Sequence, residues 1–225
     1  MRYPQVCGGR FIARPNRFIA LVDVEGQETV CHVKNTGRCR ELLTPGVKVI
    51  LARAESPNRK TAYDLVAVYK GEMLINMDSQ APNQVAAEYL PSLFSGITCV
   101  RPEYRIGDSR LDFYVETKDA RQIYVEVKGC TLEVDGVAMF PDAPTLRGVK
   151  HLRALTALAR AGREAWVLLV VQMAGPQCFR PNDAMDPTFG QALREAAAAG
   201  VGIHCVDCLV TEDSLTCRRP VPVLL

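Results

Sequence analysis

The spacing of turn signals and apolar runs changes character near Ala81, and this change restricts the chain to a two-part architecture. Before it, six short strand-like segments occupy residues 9–13, 17–24, 28–33, 47–53, 63–69 and 73–77. Turn dipeptides and tripeptides separate them: Glu25-Gly26, Asn35-Thr36-Gly37, Pro45-Gly46, Ser56-Pro57-Asn58 and Lys70-Gly71. Short strands at this spacing, with no long helical stretch between them, predict a small barrel or sandwich. For residues 1–80 an OB-like β-barrel is the economical choice.

After Ala81 the period lengthens. Pro82 suits the first turn of a helix that continues through residues 83–90. Strands are expected at 111–117 and 122–130, joined through Asp119 and Ala120, and a hairpin at 131–140 turns on Asp135-Gly136. Asp142 is placed to precap a helix over 144–161 that Gly162 ends. The apolar run at 166–172 reads as a buried strand, followed by a helix at 188–199 and a strand at 201–206. Strands alternating with helices imply parallel crossovers, so residues 81–225 are expected to form an α/β domain with a mixed central sheet. The whole is a two-domain α+β chain.

Net charge is +2, which selects no partner, but it is unevenly spread. Residues 1–80 carry 12 Lys and Arg against 8 Asp and Glu, and residues 81–225 carry 15 against 17. A basic first part beside a slightly acidic second part suits two different tasks, although random surface charge would give the same sum. The longest apolar run near Trp166 spans 165–171, far short of the ~20 residues of a membrane span. Arg10, Arg14 and Arg17 come before any signal-like apolar stretch. A cytoplasmic protein without membrane contact is expected, nucleoid-associated if it binds DNA. The nine cysteines are odd in number and are expected to be reduced thiols.

Asp112, Glu126 and Lys128 form the most informative constellation. Glu126 and Lys128 share one face of a strand, while Ile123, Val125 and Val127 take the other. In a hairpin, Asp112 approaches Glu126 across the sheet. Two carboxylates beside an amine are costly to group unless a hard cation such as Mg²⁺ offsets the repulsion. The plainer alternative is a solvated strand face. A second acid-x-Lys, Glu116-Thr117-Lys118, sits at a strand end where charge costs nothing, whereas Glu126 lies inside an apolar strand. Glu88, on the preceding helix, is a candidate third carboxylate or an exposed helix charge. Arg147, Lys150 and His151 share a helix face suited to phosphate oxygens or simply to solvent.

Together these stretches resemble the sugar fermentation stimulation protein A (SfsA) family over nearly the whole chain. The resemblance is carried by Arg17-Phe18-Ile19-Ala20, Asn35-Thr36-Gly37, Ser109-Arg110-Leu111-Asp112-Phe113 and Val125-Glu126-Val127-Lys128. Its most specific stretch is Phe140-Pro141-Asp142-Ala143-Pro144-Thr145-Leu146-Arg147-Gly148-Val149-Lys150-His151-Leu152. It implies an N-terminal OB-like domain, a C-terminal PD-(D/E)xK nuclease-like domain, DNA binding and a regulatory role in sugar use. Asp112, Glu126 and Lys128 would then be the nuclease signature, with Glu88 the helix acid. Asp112, Glu126, the Val127 carbonyl and Glu88 would hold Mg²⁺ or Mn²⁺ for phosphodiester hydrolysis of DNA or RNA. Arg14, Arg17, Lys34, Arg38 and Arg40 would bind the strand, with Phe18 or Phe11 for stacking, and Arg147, Lys150 and His151 neighbouring phosphates. A non-cleaving DNA-binding regulator on the same scaffold is the competing reading.

Cys205-Val206-Asp207-Cys208, preceded by His204, is half a zinc motif without a partner half, so buried thiols are the simpler expectation. There is no G-x-S-x-G, Walker A loop or G-x-G-x-x-G.

Overall fold

A computed structural model describes residues 1–35, 37, 39–54 and 59–225. Arg38, Thr36 of the Asn35-Thr36-Gly37 turn and the Ser56-Pro57-Asn58 turn lie outside the described residues.

Six strands come first: β1 (Val6–Asn16), β2 (Ile19–Val24), β3 (Gln27–Val33), β4 (Lys48–Arg53), β5 (Tyr63–Lys70) and β6 (Met73–Asn76). Their order is β3-β2-β1-β4-β5-β6, and a parallel pairing of β3 with β5 closes the first five into a barrel. Closure needs a strand that serves two neighbours. β1 supplies it, pairing β4 through Val6 to Arg10 and β2 from Arg10 onward, with register shifts after Phe11 and after Ala13 that bend it. Glu25 and Gly26 both have positive φ (53° and 83°), the backbone a two-residue hairpin requires between β2 and β3. Phe11, Ala20, Val22, Val49, Leu51 and Leu65 fill the interior.

The second part comprises α1 (Ala81–Leu93), β7 (Ile97–Ile106), β8 (Ser109–Thr117), β9 (Gln122–Cys130), β10 (Leu132–Val134), β11 (Val137–Phe140) and α2 (Leu146–Arg160). It continues through β12 (Glu164–Val171), β13 (Cys178–Pro181), α3 (Pro187–Ala198), β14 (Gly202–Val210) and β15 (Leu215–Pro220). The main sheet runs β15-β14-β12-β9-β8-β7. β9, β12 and β14 are parallel and the outer strands antiparallel, so the sheet is mixed as expected. Alternation along β9 decides the layers. Ile123, Val125 and Val127 pack with Val85, Ala86 and Leu90 of α1 on one face. Tyr124 packs with the core beneath α2 and α3 on the other. No helix among the described residues is long and apolar enough to cross a membrane.

Three strands escape the periodicity argument. β7 carries Arg101, Pro102 and Glu103 at the sheet edge and shows no alternation to read. β13 and β15 are short and end in proline. The cap of α2 also differs from expectation. Thr145, not Asp142, caps it, its hydroxyl accepting from the Gly148 N–H at 3.0 Å, and Asp186 Oδ2 accepts from the Thr145 N–H at 2.9 Å.

The barrel is fixed to the sheet through Gln172, just after β12. The Asn76 N–H donates to the Gln172 carbonyl at 2.9 Å, and the buried Gln172 side chain returns to Asn76 and Asp78. Lys48–Glu212 (2.9 Å) and Lys70–Glu133 (2.6 Å) pair across the same seam. Ahead of β1, the Tyr3 N–H donates to the Asp213 carbonyl at 2.7 Å, tying the first residues to the sheet.

The barrel holds a buried carboxylate, Asp64, among Arg59, His32 and Lys34 at 2.6, 3.0 and 3.3 Å. Burial raises its pKa, but Arg59, His32 and Lys34 more than offset this and hold it below the usual range. A depressed carboxyl contributes stability above its unfolded pKa and loses it as pH falls through the folded value. Asp64→Asn should therefore cost about 2 kcal/mol at pH 7, the scale of a charged hydrogen bond. The deficit should shrink as pH falls below about 4; urea unfolding of both proteins across pH 2–7 measures it.

Candidate active site

β8 and β9 are paired from Glu116–Gln122 up to Phe113–Val125, and there the backbone ladder stops. The Asp112 side chain takes its place. Asp112 Oδ2 accepts from the Val127 N–H at 2.7 Å, and Oδ1 accepts from Asn83 Nδ2 of α1 at 2.8 Å. The strands thus fork at Asp112, and the fork leaves Glu126 and Lys128 facing α2.

Glu126 is 1% exposed. Its Oε1 accepts from Lys128 Nζ at 2.5 Å and is bonded to His151 Nδ1, while its Oε2 is buried with no hydrogen-bond partner among the described residues. The two carboxyls are driven apart. Burial, then the Glu126 charge, pushes the Asp112 pKa up against the bonds from Val127 and Asn83. Burial also raises Glu126, but His151 and Lys128 outweigh it and hold it below the ordinary range.

An orphaned buried carboxylate oxygen is costly unless something fills its lone pairs. Beside Asp112 the donor set is hard oxygen, which fits a cation of the Mg²⁺ class. Among the described residues no three His, Cys, Asp or Glu side chains gather into a cage. The protein would supply two carboxylates, and water and substrate oxygens the rest, as Mg²⁺ commonly accepts.

The structure brings Asp112, Glu126 and Lys128 together but not Glu88. Glu88 is exposed and pairs with the Met1 amine at 2.9 Å. It lies five residues beyond Asn83 on α1, roughly 140° round the helix from the residue that touches Asp112. His151 also departs from expectation: it is buried against Glu126 and is no part of an exposed phosphate stripe. The helical period foretells this, because His151 lies three residues after Gly148 and four before Leu155, both on the buried face. Arg147 and Lys150 are exposed on α2, and Lys150 Nζ donates to the Asp108 carbonyl at 3.3 Å. Asn83 had no signal beyond its place at the helix start.

On the barrel, Lys34 is committed to the buried Asp64 and Asp78, at 3.3 and 3.5 Å, which takes it off the list of strand contacts. Arg14 donates to the Arg17 and Asn35 carbonyls at 2.7 and 2.6 Å. Arg14, Asn16, Arg17, Arg40 and Leu43 line a hollow of about 280 Å³. Phe18 is 54% exposed, whereas Phe11 is core. Cys205 and Cys208 belong to cores on opposite faces of the sheet, so they do not form half a zinc site.

Two family models match the chain: "SfsA N-terminal OB domain" over residues 12–77 and "Sugar fermentation stimulation protein RE domain" over residues 80–214. A sugar fermentation stimulation protein homolog of Desulfitobacterium hafniense (strain Y51) is 53% identical over 216 residues, 96% of this chain and 94% of that protein. The homolog of Clostridium beijerinckii is 49% identical over 227 residues, the whole of both chains. Among solved structures, Pyrococcus furiosus SfsA in complex with Ca²⁺ superposes with a TM-score of 0.89 at 28% identity, covering 100% of this chain and 98% of that one. The barrel is thus an OB domain and the mixed sheet a nuclease-like domain.

His151→Ala should leave the buried Glu126 carboxylate short of one donor. Its pKa should rise, measured by carboxyl-carbon NMR, and the metal-free protein should lose about 2 kcal/mol at neutral pH. An unmoved Glu126 titration would contradict the role given to His151.

Proposed function

The chain belongs to the sugar fermentation stimulation protein family, and on that premise we propose that it is a divalent-metal-dependent nuclease whose OB domain holds the nucleic acid strand. The observation that carries this reading is the buried, unpartnered Oε2 of Glu126 beside Asp112, with the Lys128 amine on the same carboxylate. A protein that only bound nucleic acid would gain nothing from two carboxylates at this fork, since they repel phosphate. The Ca²⁺ bound to the Pyrococcus furiosus relative supports a hard-cation site, because Ca²⁺ and Mg²⁺ both take oxygen ligands.

Asp112, Glu126 and the Val127 carbonyl would hold Mg²⁺ or Mn²⁺, which when bound polarises a phosphodiester and acidifies a water. The chain's own groups do the rest. Asn83 and the Val127 N–H fix the orientation of Asp112, and His151 fixes that of Glu126. The Lys128 amine offsets negative charge at the phosphate and orients the attacking water. Arg147 and Lys150 lie along the exposed side of α2 for neighbouring phosphates. Arg14, Arg17 and Arg40 form the basic hollow on the barrel, with exposed Phe18 as a stacking surface. A soluble cytoplasmic protein acting on DNA or RNA follows from this reading.

Pure protein incubated with single- and double-stranded DNA and RNA should yield products with Mg²⁺ or Mn²⁺ and none with chelator. Glu126→Gln and Lys128→Ala should each lower the rate by about 10²-fold or more, with nucleic-acid affinity nearly unchanged. Salt-dependent binding without metal-dependent products would favour the regulator instead. Arg17→Ala and Arg40→Ala should each weaken binding across all sequences and reduce the salt slope by about one.

A further inference from the structure

A cleft of about 160 Å³ opens where the barrel meets the nuclease-like domain. Asn35, Ser79, Gly129, Thr131, Asp142 and Gln172 line it. It adjoins the candidate active site: Gly129 follows Lys128, and Pro82, on the cleft wall, precedes the Asn83 that holds Asp112.

Two groups on this wall are acceptors that accept nothing among the described residues. Gln172 is 2% exposed. Its Nε2 is held by the Asn76 carbonyl (3.1 Å), Asn76 Oδ1 (2.9 Å) and the Asp78 carbonyl (3.1 Å). That leaves Oε1 turned toward Gly129 and the cleft, where a Cβ on residue 129 would lie 2.5 Å from it. The Asp142 carboxylate makes no hydrogen bond or ion pair among the described residues. A Cβ on residue 37 would lie 2.6 Å from its Oδ2. Glycines at 37 and 129 therefore keep both acceptors uncovered.

A buried amide oxygen and a carboxylate that face one cleft and receive no hydrogen bond among the described residues suit a ligand that brings donors. The space equals about five waters at ~30 Å³ each, far more than a bare cation needs. It suits one planar heterocycle. Among nucleobases, guanine alone offers an imino N–H adjacent to an amino group on its pairing edge, which matches a carboxylate bidentately. The base edge is open to such reading only when the base is unstacked.

Resting on the nuclease reading for the strand itself, we infer that this cleft binds a single unstacked guanine of the strand held at the fork. Asp142 accepts from its N1–H and one N2–H, and Gln172 Oε1 accepts from the other N2–H. Asp142 is then a specificity-determining residue, which gives the Phe140-Pro141-Asp142 stretch a function that capping α2 does not.

The test is fluorescence anisotropy in chelator, so that cleavage plays no part, with short labelled oligothymidylates carrying one central guanine, hypoxanthine or adenine. Wild type should bind the guanine oligomer about tenfold more tightly than the all-thymine oligomer, the size of one good bidentate base contact. Hypoxanthine lacks the amino group and should lose most of that gain. Asp142→Asn should erase the preference and leave the all-thymine affinity intact. Equal wild-type affinity for all oligomers, a preference that survives Asp142→Asn, or no binding to any oligomer would each overturn the inference. The hypoxanthine comparison needs no variant, so it stands even if Asp142→Asn misfolds. Guanine preference without Mg²⁺-dependent cleavage supports the pocket and counts against the nuclease. Mg²⁺-dependent cleavage without base preference does the reverse.

Discussion

A carboxylate buried in the middle of a β-sheet needs donors brought to it, and the elements around Glu126 are placed to bring them. Lys128 comes from the same strand face, two residues on. His151 comes from α2, which needs its Thr145 cap and its packing over the sheet to present the imidazole there. Asp112 comes from β8 only because the β8–β9 ladder ends one pair earlier and frees its side chain to take a backbone N–H. One oxygen of Glu126 is still without a donor among the described residues. Fold stability and chemistry meet at that atom: what the protein leaves unfilled there is what a cation and a phosphate would fill.

The same economy governs the seam between the domains. Gln172 spends its side-chain amide nitrogen on Asn76 and Asp78 and its backbone carbonyl on the Asn76 N–H. The barrel is thereby held at a set position relative to the ends of β9 and β12, which is where the fork lies. The basic hollow of the barrel is set at a fixed distance from the carboxylates by this one residue and two flanking ion pairs.

Much of this was legible in the chain itself. The six strands of the first domain announce themselves through their buried faces and the turn signals that separate most of them. Glu126 stands out because a charge inside Ile123-Tyr124-Val125-Glu126-Val127 is costly wherever it points. What stayed hidden depends on tertiary partners. β7 is an edge strand with polar residues on both faces, so no period marks it. Lys34 and Arg17 look alike in sequence, yet one is spent on two buried aspartates and the other is exposed. Glu88 and Asn83 share a helix, and only its rotation over the sheet decides which of them meets Asp112.

The parallel pairing of β3 with β5 carries a consequence for how the chain acquires its shape. The β1–β2–β3 meander forms from neighbours in sequence, but the barrel stays open until Tyr63 meets Cys31. Both partners lie within the first 70 residues, so a ribosome can release a closed barrel before any of the nuclease-like sheet exists. The seam waits far longer, because Asn76 must find Gln172 across 96 residues. The fork at Asp112 waits as well, since β9 has no central neighbour until β12 emerges. Assembly in this order would finish the OB barrel first and bring Asp112 and Glu126 together last.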